Sequence, residues 1–372
     1  MVYCYDCDHS ADYDQFEYLL ILSADIHFAT GNFSMKRVAN YFQEMIVQLF
    51  RIYHKLRLDK REPVILTYPI YANETEARVF GRVIEEIRYG EFERIKSRIN
   101  HFIHVLKLLL TVKYARAKID CYSGDQHNQL MTNEQGYFYG VVPYQAGQNV
   151  YYQLENIKKL KFSTPEATKF TADVYKPNEK TQKIIISDID DTVLKSRAAN
   201  FLYVAALTLF SPTHKRETFP EAAHAYQSLE KGANGQENNM FFYVSSSTWN
   251  IFPLIESFLK INSFPRGPIL MQDMASERKK QHQVEHGHKL DRICEIAEFY
   301  PELPLILIGD AGQKDADIYL RIAEKYPKRI DKILIRKSWW TETIHNLDHY
   351  LQRAKKLGVQ LVYFESLEEL EY

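Results

Sequence analysis

KIIISDIDDTVLKS, residues 183–196, sets an apolar run directly against a knot of carboxylates. Ile184, Ile185 and Ile186 have the β-branched composition of a buried strand. Asp188, Asp190 and Asp191 follow at once, with Thr192 behind them. Like charges that close repel one another, and the end of a buried strand is a costly place to put them. Either this is a solvated turn, or it is a site where a metal ion and a reacting phosphate need those oxygens.

Downstream, the apolar period alternates between strand and helix. Helices are predicted near 198–210 and 219–231, at 250–261, from 288 and from 314. Between and after them lie MFFYV (240–244), GPIL (267–270), LPLILI (303–308), KILIR (332–336) and LVYF (361–364). This alternation predicts an α/β fold, a parallel sheet with helices on both faces. In such sheets ligands bind beyond the carboxyl ends of the strands.

Upstream, KPNEKTQ (176–182) reads as a polar linker. Before it, EPVILTYPI, ARVFGRVI, AKIDCYS, GYFYGVV, NVYYQL and FTADVY are short β-rich segments divided by turn residues, with Gly136 of TNEQG free to take a positive φ. They predict a small β-sandwich-like domain at 61–178, with a helical insertion at 90–110. SMKRVANYFQEMIVQLFRIYHKL (34–56) has apolar residues at helical spacing, and Ser34 can cap it. Lys36, Arg37, Arg51, Lys55, Arg57, Lys60 and Arg61 make this segment locally basic, so the amphipathic helix either packs on the next domain or rests on anionic lipid. The expected organisation is 1–60 as a lead-in with this helix, 61–178 as the β-domain, and 179–372 as the α/β domain.

A formal net charge of −1 gives no reason to expect a nucleic-acid partner. Cys4 and Cys7 form one CxxC without the second pair that a zinc site needs, and four cysteines in 372 residues make no disulfide framework. The acidic start, with Asp6, Asp8, Asp12 and Asp14, does not resemble a signal peptide. The apolar stretch AANFLYVAALTLF (198–210) falls short of the roughly 18–20 residues that a spanning helix requires. A cytoplasmic protein able to sit on the membrane surface is the expectation.

The rule placing ligands at strand ends can be applied to the carboxylates. KIIIS ends in Asp188-Ile189-Asp190-Asp191-Thr192, MFFYV in Ser245-Ser246-Ser247, and LPLILI in Gly309-Asp310-Ala311-Gly312-Gln313-Lys314-Asp315, with Lys289 opening a helix before that last strand. Carboxylates, hydroxyls and a cation thus converge on one rim. The series DIDDT, hydroxyls, lysine and GDAGQKD resembles the four motifs of the haloacid dehalogenase (HAD) superfamily. FFYVSSSTWNIFPLIESFL, FPRGPIL, HKLDRICEI and LILIGDAGQKDADIY resemble, more narrowly, the catalytic domain of the actin-patch-type phosphatidate phosphatases. The likeness covers most of 181–340 and departs from the common pattern at Thr248 and Ala311. It implies a HAD-like Rossmannoid sheet with a minimal cap.

Residue chemistry then suggests roles. Asp188 would attack phosphorus in line and form an aspartyl-phosphate. Asp190 would protonate the departing alkoxide and later take a proton from water. Mg2+ suits an all-oxygen site of Asp188 and Asp310, with the Asp190 backbone carbonyl added by the resemblance, and Asp315 would orient the ion's water ligands. Ser245 and Lys289 would bind the phosphoryl group, while Thr192 and Gly309 support the loops. Ser246 could replace Ser245, and Lys314 could replace Lys289. His286 and His288 read more readily as solvated side chains than as ligands. No His–Asp pair accompanies the serines as serine-nucleophile chemistry requires.

The interval between Thr192 and Ser245 holds little beyond two helices, and MASERKKQHQVEHG before Lys289 is too short for a folded lid. An open rim suits a headgroup lying in a membrane, and the reading is Mg2+-dependent hydrolysis of phosphatidate. Another phospholipid, a phosphoprotein, or a membrane-associated binding module with a weakened site are the alternatives.

Overall fold

A computed structural model of the chain describes residues 63–85, 114–154, 169–189, 220–249, 252–272, 287–311, 314–337 and 347–365. The expected basic helix at 34–56, the insertion at 90–110, the apolar segment 198–210 and the Cys4–Cys7 pair lie outside the described residues.

Six strands form a parallel sheet: β10 (Ile184–Asp188), β11 (Met240–Thr248), β12 (Ile269–Gln272), β13 (Leu305–Asp310), β14 (Ile330–Arg336) and β15 (Gln360–Phe364). The spatial order is β12-β11-β10-β13-β14-β15. The chain runs outward on one side of β10 and then returns to build the other side. β10 therefore lies at the switch in direction where open α/β sheets form their binding crevice. Every residue of β10 and β13 is buried, as the apolar runs Ile184–Ile186 and Leu305–Ile308 require for most of their length. Both strands extend further than their apolar runs suggest. Asp188 pairs with Val244, and Asp310 with Arg336, so these carboxylates sit on the last residues of the strands.

Among the described residues, the helices between these strands are α1 (Pro220–Lys231), α2 (Phe252–Ile261), α3 (Gly287–Phe299), α4 (Asp315–Lys325) and α5 (Leu347–Leu357). The sequence reading lacks α5. Its signals are Leu347, Leu351 and Ala354 at helical spacing, Asp348 in the first turn, and Gly358 at φ +69° just past the end. Among the described residues no helix is long and apolar enough to cross a membrane.

The residues before the parallel sheet form two smaller sheets. In the first, β3 (Glu76–Glu85) pairs with β1 (Pro63–Thr67), with β2 (Ile70–Ala72) and with β6 (Tyr137–Pro143), and β9 (Val174–Tyr175) joins β2 in parallel. Pro69, which has no N–H to donate, separates β1 from β2 where one strand is expected. The second sheet contains β5 (Gln126–Met131), β4 (Lys118–Ser123), β7 (Val150–Leu154) and β8 (Phe170–Ala172) in that order. β5 is also missing from the sequence reading, because QHNQLM is a polar edge strand with little buried surface. Gly136 adopts φ +77° in the turn before β6, as the TNEQG signal requires. Phe138 and Tyr152 meet edge-on at 5.1 Å between the two sheets.

One apolar core joins these sheets to the parallel sheet. Tyr71 of β2 lies edge-on to Phe242 of β11 and to Phe299 of α3, both at 5.2 Å. Its hydroxyl donates to Glu295 Oε1 at 3.0 Å, and the Tyr139 hydroxyl donates to the same oxygen. Burial opposes ionisation of Glu295, but the Tyr139 hydrogen bond and Arg292 outweigh it and hold this carboxyl below its usual range. Tyr71→Ala is expected to destabilise the chain by about 3–5 kcal/mol, the cost of removing a fully buried aromatic ring. A urea denaturation curve with a midpoint unchanged from wild type would remove Tyr71 from the shared core.

Candidate active site

Asp188 closes β10, Asp310 closes β13, and Asp315 opens α4. One carboxylate oxygen from each lies within 4.8 Å of the other two, and all three residues are buried. Lys289, the third residue of α3, extends into this group with 1% of its surface exposed. Its Nζ lies 2.8 Å from Asp188 Oδ1 and 2.8 Å from Asp315 Oδ1. Burial works against the ammonium charge, yet attraction to Asp188 and Asp315 prevails and raises its pKa above the ordinary value. Lys289 therefore stays charged at any working pH. The Lys289 ammonium thus bridges two of the three buried carboxylates, Asp188 and Asp315.

The three carboxylates form an oxygen-only donor set, converging and buried. It fits a hard divalent ion such as Mg2+ and does not fit a thiophilic metal. The fit is tightened at Gly309. A Cβ there would lie 2.4 Å from Asp315 Oδ2 and 2.8 Å from Asp315 Cβ, so only glycine lets this carboxylate rest against β13. The Asp310 N–H donates to the same Asp315 Oδ2 at 3.2 Å and fixes it in place.

The hydroxyl run occupies the neighbouring strand. Ser245 is fully buried, one residue beyond the Asp188–Val244 rung, and its Oγ accepts the Ser247 N–H at 3.0 Å. Ser246 and Ser247 are half-buried. Ser245 pairs with Met271 but Thr248 pairs with Gln272, so β11 bulges across Ser246 and Ser247. Bulges of this kind re-aim side chains at functional rims. Trp249 follows immediately and stacks on Tyr68 at 4.4 Å, which ties the end of the serine run to the smaller sheets.

Residues 183–337 match the family model described as phosphatidate phosphatase APP1, catalytic domain. This segment belongs to the APP1 catalytic-domain family. The chain is 28% identical over 153 residues to phosphatidate phosphatase APP1 of Saccharomyces cerevisiae, an alignment covering 41% of this chain and 25% of that protein. It is 24% identical over 211 residues to an uncharacterized protein of Schizosaccharomyces pombe, covering 56% of this chain and 34% of the other. The alignments thus span a quarter to a third of these relatives. Among solved structures, a carbohydrate acetylesterase from Xanthomonas citri aligns at 9% identity with a TM-score of 0.33, covering 82% of this chain and 69% of that one. That likeness is too low to carry an argument.

Within the APP1-type segment, the fold gathers Asp188, Lys289, Asp310 and Asp315 into one buried cluster, with Gly309 beneath Asp315 and Ser245 on the adjacent strand. Lys314, the alternative cation, is exposed, and His288 is half-buried. Asp190, Thr192 and His286 lie outside the described residues. From sequence, Lys289 is expected to face a phosphoryl group and Asp315 the water ligands of an ion. In the structure the two are an ion pair, formed across 26 residues. No local sequence signal specifies that pairing.

For the phosphatase reaction proposed below, Gly309→Ala is expected to lower the rate about 100-fold, because a misplacement of about 1 Å of a positioned group can cost that much. The added methyl must displace Asp315 and loosen its pair with Lys289. Phosphate release at the wild-type rate would show that Asp315 need not lie where it does.

Proposed function

We propose that this chain is a Mg2+-dependent phosphatase of the HAD type that hydrolyses phosphatidate to diacylglycerol and phosphate. The observation that carries the reading is the gathering of three buried carboxylates around Lys289 at the switch point of the parallel sheet. The family match supports the choice of phosphatidate, and the low identity leaves that choice to experiment.

In the proposed reaction an Asp188 carboxylate oxygen forms a bond to phosphorus as the bond from phosphorus to the glycerol oxygen breaks. Asp190 gives its proton to the departing oxygen. Water then attacks the phosphorus of the aspartyl-phosphate, Asp190 takes the proton, and the Asp188 carboxylate is regenerated as phosphate leaves. Asp188, Asp310 and the Asp190 carbonyl would hold Mg2+, which when bound offsets the repulsion between carboxylate and phosphate. Lys289 neutralises phosphoryl charge from the other side while Asp315 keeps its ammonium in place. Ser245 offers a hydroxyl to a phosphoryl oxygen.

The test is phosphate release from phosphatidate in mixed micelles against a panel of soluble phosphomonoesters, with Mg2+ and with chelator. Preference for phosphatidate, lost on chelation, is the expected result. Preference for soluble esters would remove the lipid substrate and leave the phosphatase. No release from any ester would remove both.

A further inference from the structure

Two buried phenols lie under the carboxylate cluster, and the reaction described above does not use them. The pairing of β10 with β13 ends at the rung Ser187–Ile308. Asp188 and Asp310 project just past that rung, one and two residues on. Carboxylates that converge in a medium of low dielectric repel each other, and Lys289, paired with Asp188 and Asp315, offsets part of that repulsion. The strand ends that carry Asp188 and Asp310 therefore have to be held.

That last rung is gripped from both strands. Tyr319 of α4, 1% exposed, donates its hydroxyl to the Ile308 carbonyl at 2.9 Å. Tyr226 of α1, fully buried, has its hydroxyl 2.7 Å from Ser187 Oγ, and Ser187 Oγ donates to the Asp188 carbonyl at 2.7 Å. The single serine hydrogen is used on that carbonyl, so the Tyr226 hydroxyl is the donor in its contact. The relay runs Tyr226 O–H to Ser187 O–H to the backbone of Asp188. Burial, first of all, raises the pKa of both phenols, which keeps them protonated donors. Carbonyl oxygens have two lone pairs, so these bonds add to the strand ladder without displacing it.

We infer that Tyr226 and Tyr319 are positioning residues, whose hydroxyls hold the ends of β10 and β13 at the separation at which Asp188 and Asp310 share one divalent ion. The inference rests on the ion-dependent reading above. Each phenol acts on the backbone of a strand that carries an ion ligand. Partners bonded directly to a metal ligand commonly change its affinity about 10- to 100-fold. These phenols act one step further out, through Ser187 and through the Ile308 carbonyl, so the lower end of that range is expected.

The experiment is calorimetric titration of Mg2+ into the full chain and into Tyr226→Phe, Tyr319→Phe, the double variant and Ser187→Ala. Tyr300→Phe is the control. It too removes a buried hydroxyl-to-carbonyl bond, the one to Ala72 at 3.0 Å, which lies at the junction with the smaller sheets. Phenylalanine keeps each ring in the core, so folding is preserved, and circular dichroism verifies this. Each single variant is expected to bind the ion about tenfold more weakly, the double variant more weakly still, and Ser187→Ala like Tyr226→Phe. Tyr300→Phe is expected to stay within about twofold of wild type, being remote from any ion ligand. Wild-type affinity in the tyrosine variants, or equal weakening in Tyr300→Phe, overturns the inference and leaves the ion-dependent reading in place. A wild-type chain that takes up no Mg2+ overturns both.

Discussion

Asp188→Asn is expected to abolish phosphate release, by about 10^4-fold or more, as removal of a covalent nucleophile does elsewhere. The same substitution is expected to leave the ion-free protein at least as stable as wild type. Asp188, Asp310 and Asp315 lie together in the interior with Lys289 between two of them. Removing one negative charge relieves repulsion, while Lys289 keeps its 2.8 Å contact with Asp315. Asparagine is nearly the same shape, so packing is unchanged. Loss of activity with unchanged or raised thermal stability is the signature of a site whose charges are retained for chemistry at the expense of the fold. Two measurements check it: phosphate release from phosphatidate micelles and thermal unfolding in chelator. A variant that unfolds well below wild type in chelator would mean that Asp188 is a structural partner of Lys289 first. A variant with wild-type turnover would end its assignment as nucleophile.

Much of this arrangement can be read along the chain, for a physical reason. Strands buried on both faces are continuous apolar runs, so Ile184–Ile186 and Leu305–Ile308 announce themselves, and polar residues at their ends stand out by contrast. Asp188 and Asp310 are conspicuous for that reason. Other features depend on distance in the fold and leave no local trace. Lys289 and Asp315 become an ion pair only when α3 and α4 come together at one rim. The bulge across Ser246 and Ser247 depends on where β12 runs out. Tyr226 and Tyr319 read as ordinary members of the apolar faces of their helices, because nothing local marks the carbonyl or hydroxyl that each will reach. The change of period near residue 178 suggests separate domains, yet Tyr68, Tyr71 and Trp249 join the two regions in one aromatic core. β5 and α5 were hidden differently, the first by polarity and the second by having one fully buried residue, Ala354.

Lys289→Met is expected to have the opposite effect on the fold. Methionine keeps most of the apolar stem but removes the ammonium that sits 2.8 Å from each of two carboxylates. Breaking a buried ion pair from one side leaves uncompensated charge, which typically costs about 3–5 kcal/mol. Here the loss leaves three carboxylates facing one another, so the upper end of that range is expected in the absence of metal. In the wild type, Lys289 occupies an oxygen of Asp188 and so competes with a divalent ion for that ligand. Without the lysine that competition is gone, and the stabilising effect of Mg2+ should exceed that on the wild type. An ion present at about 100 times its dissociation constant adds about 2.7 kcal/mol, enough to recover much of the deficit. Activity is still expected to fall about 100- to 1000-fold even with saturating Mg2+, because the phosphoryl oxygens lose a preorganised cation. Urea unfolding of both proteins, in chelator and at increasing Mg2+, measures the first two effects, and phosphate release measures the third. Equal stability of the two proteins in chelator would show that the carboxylates do not need Lys289, and would undo the electrostatic account of the site.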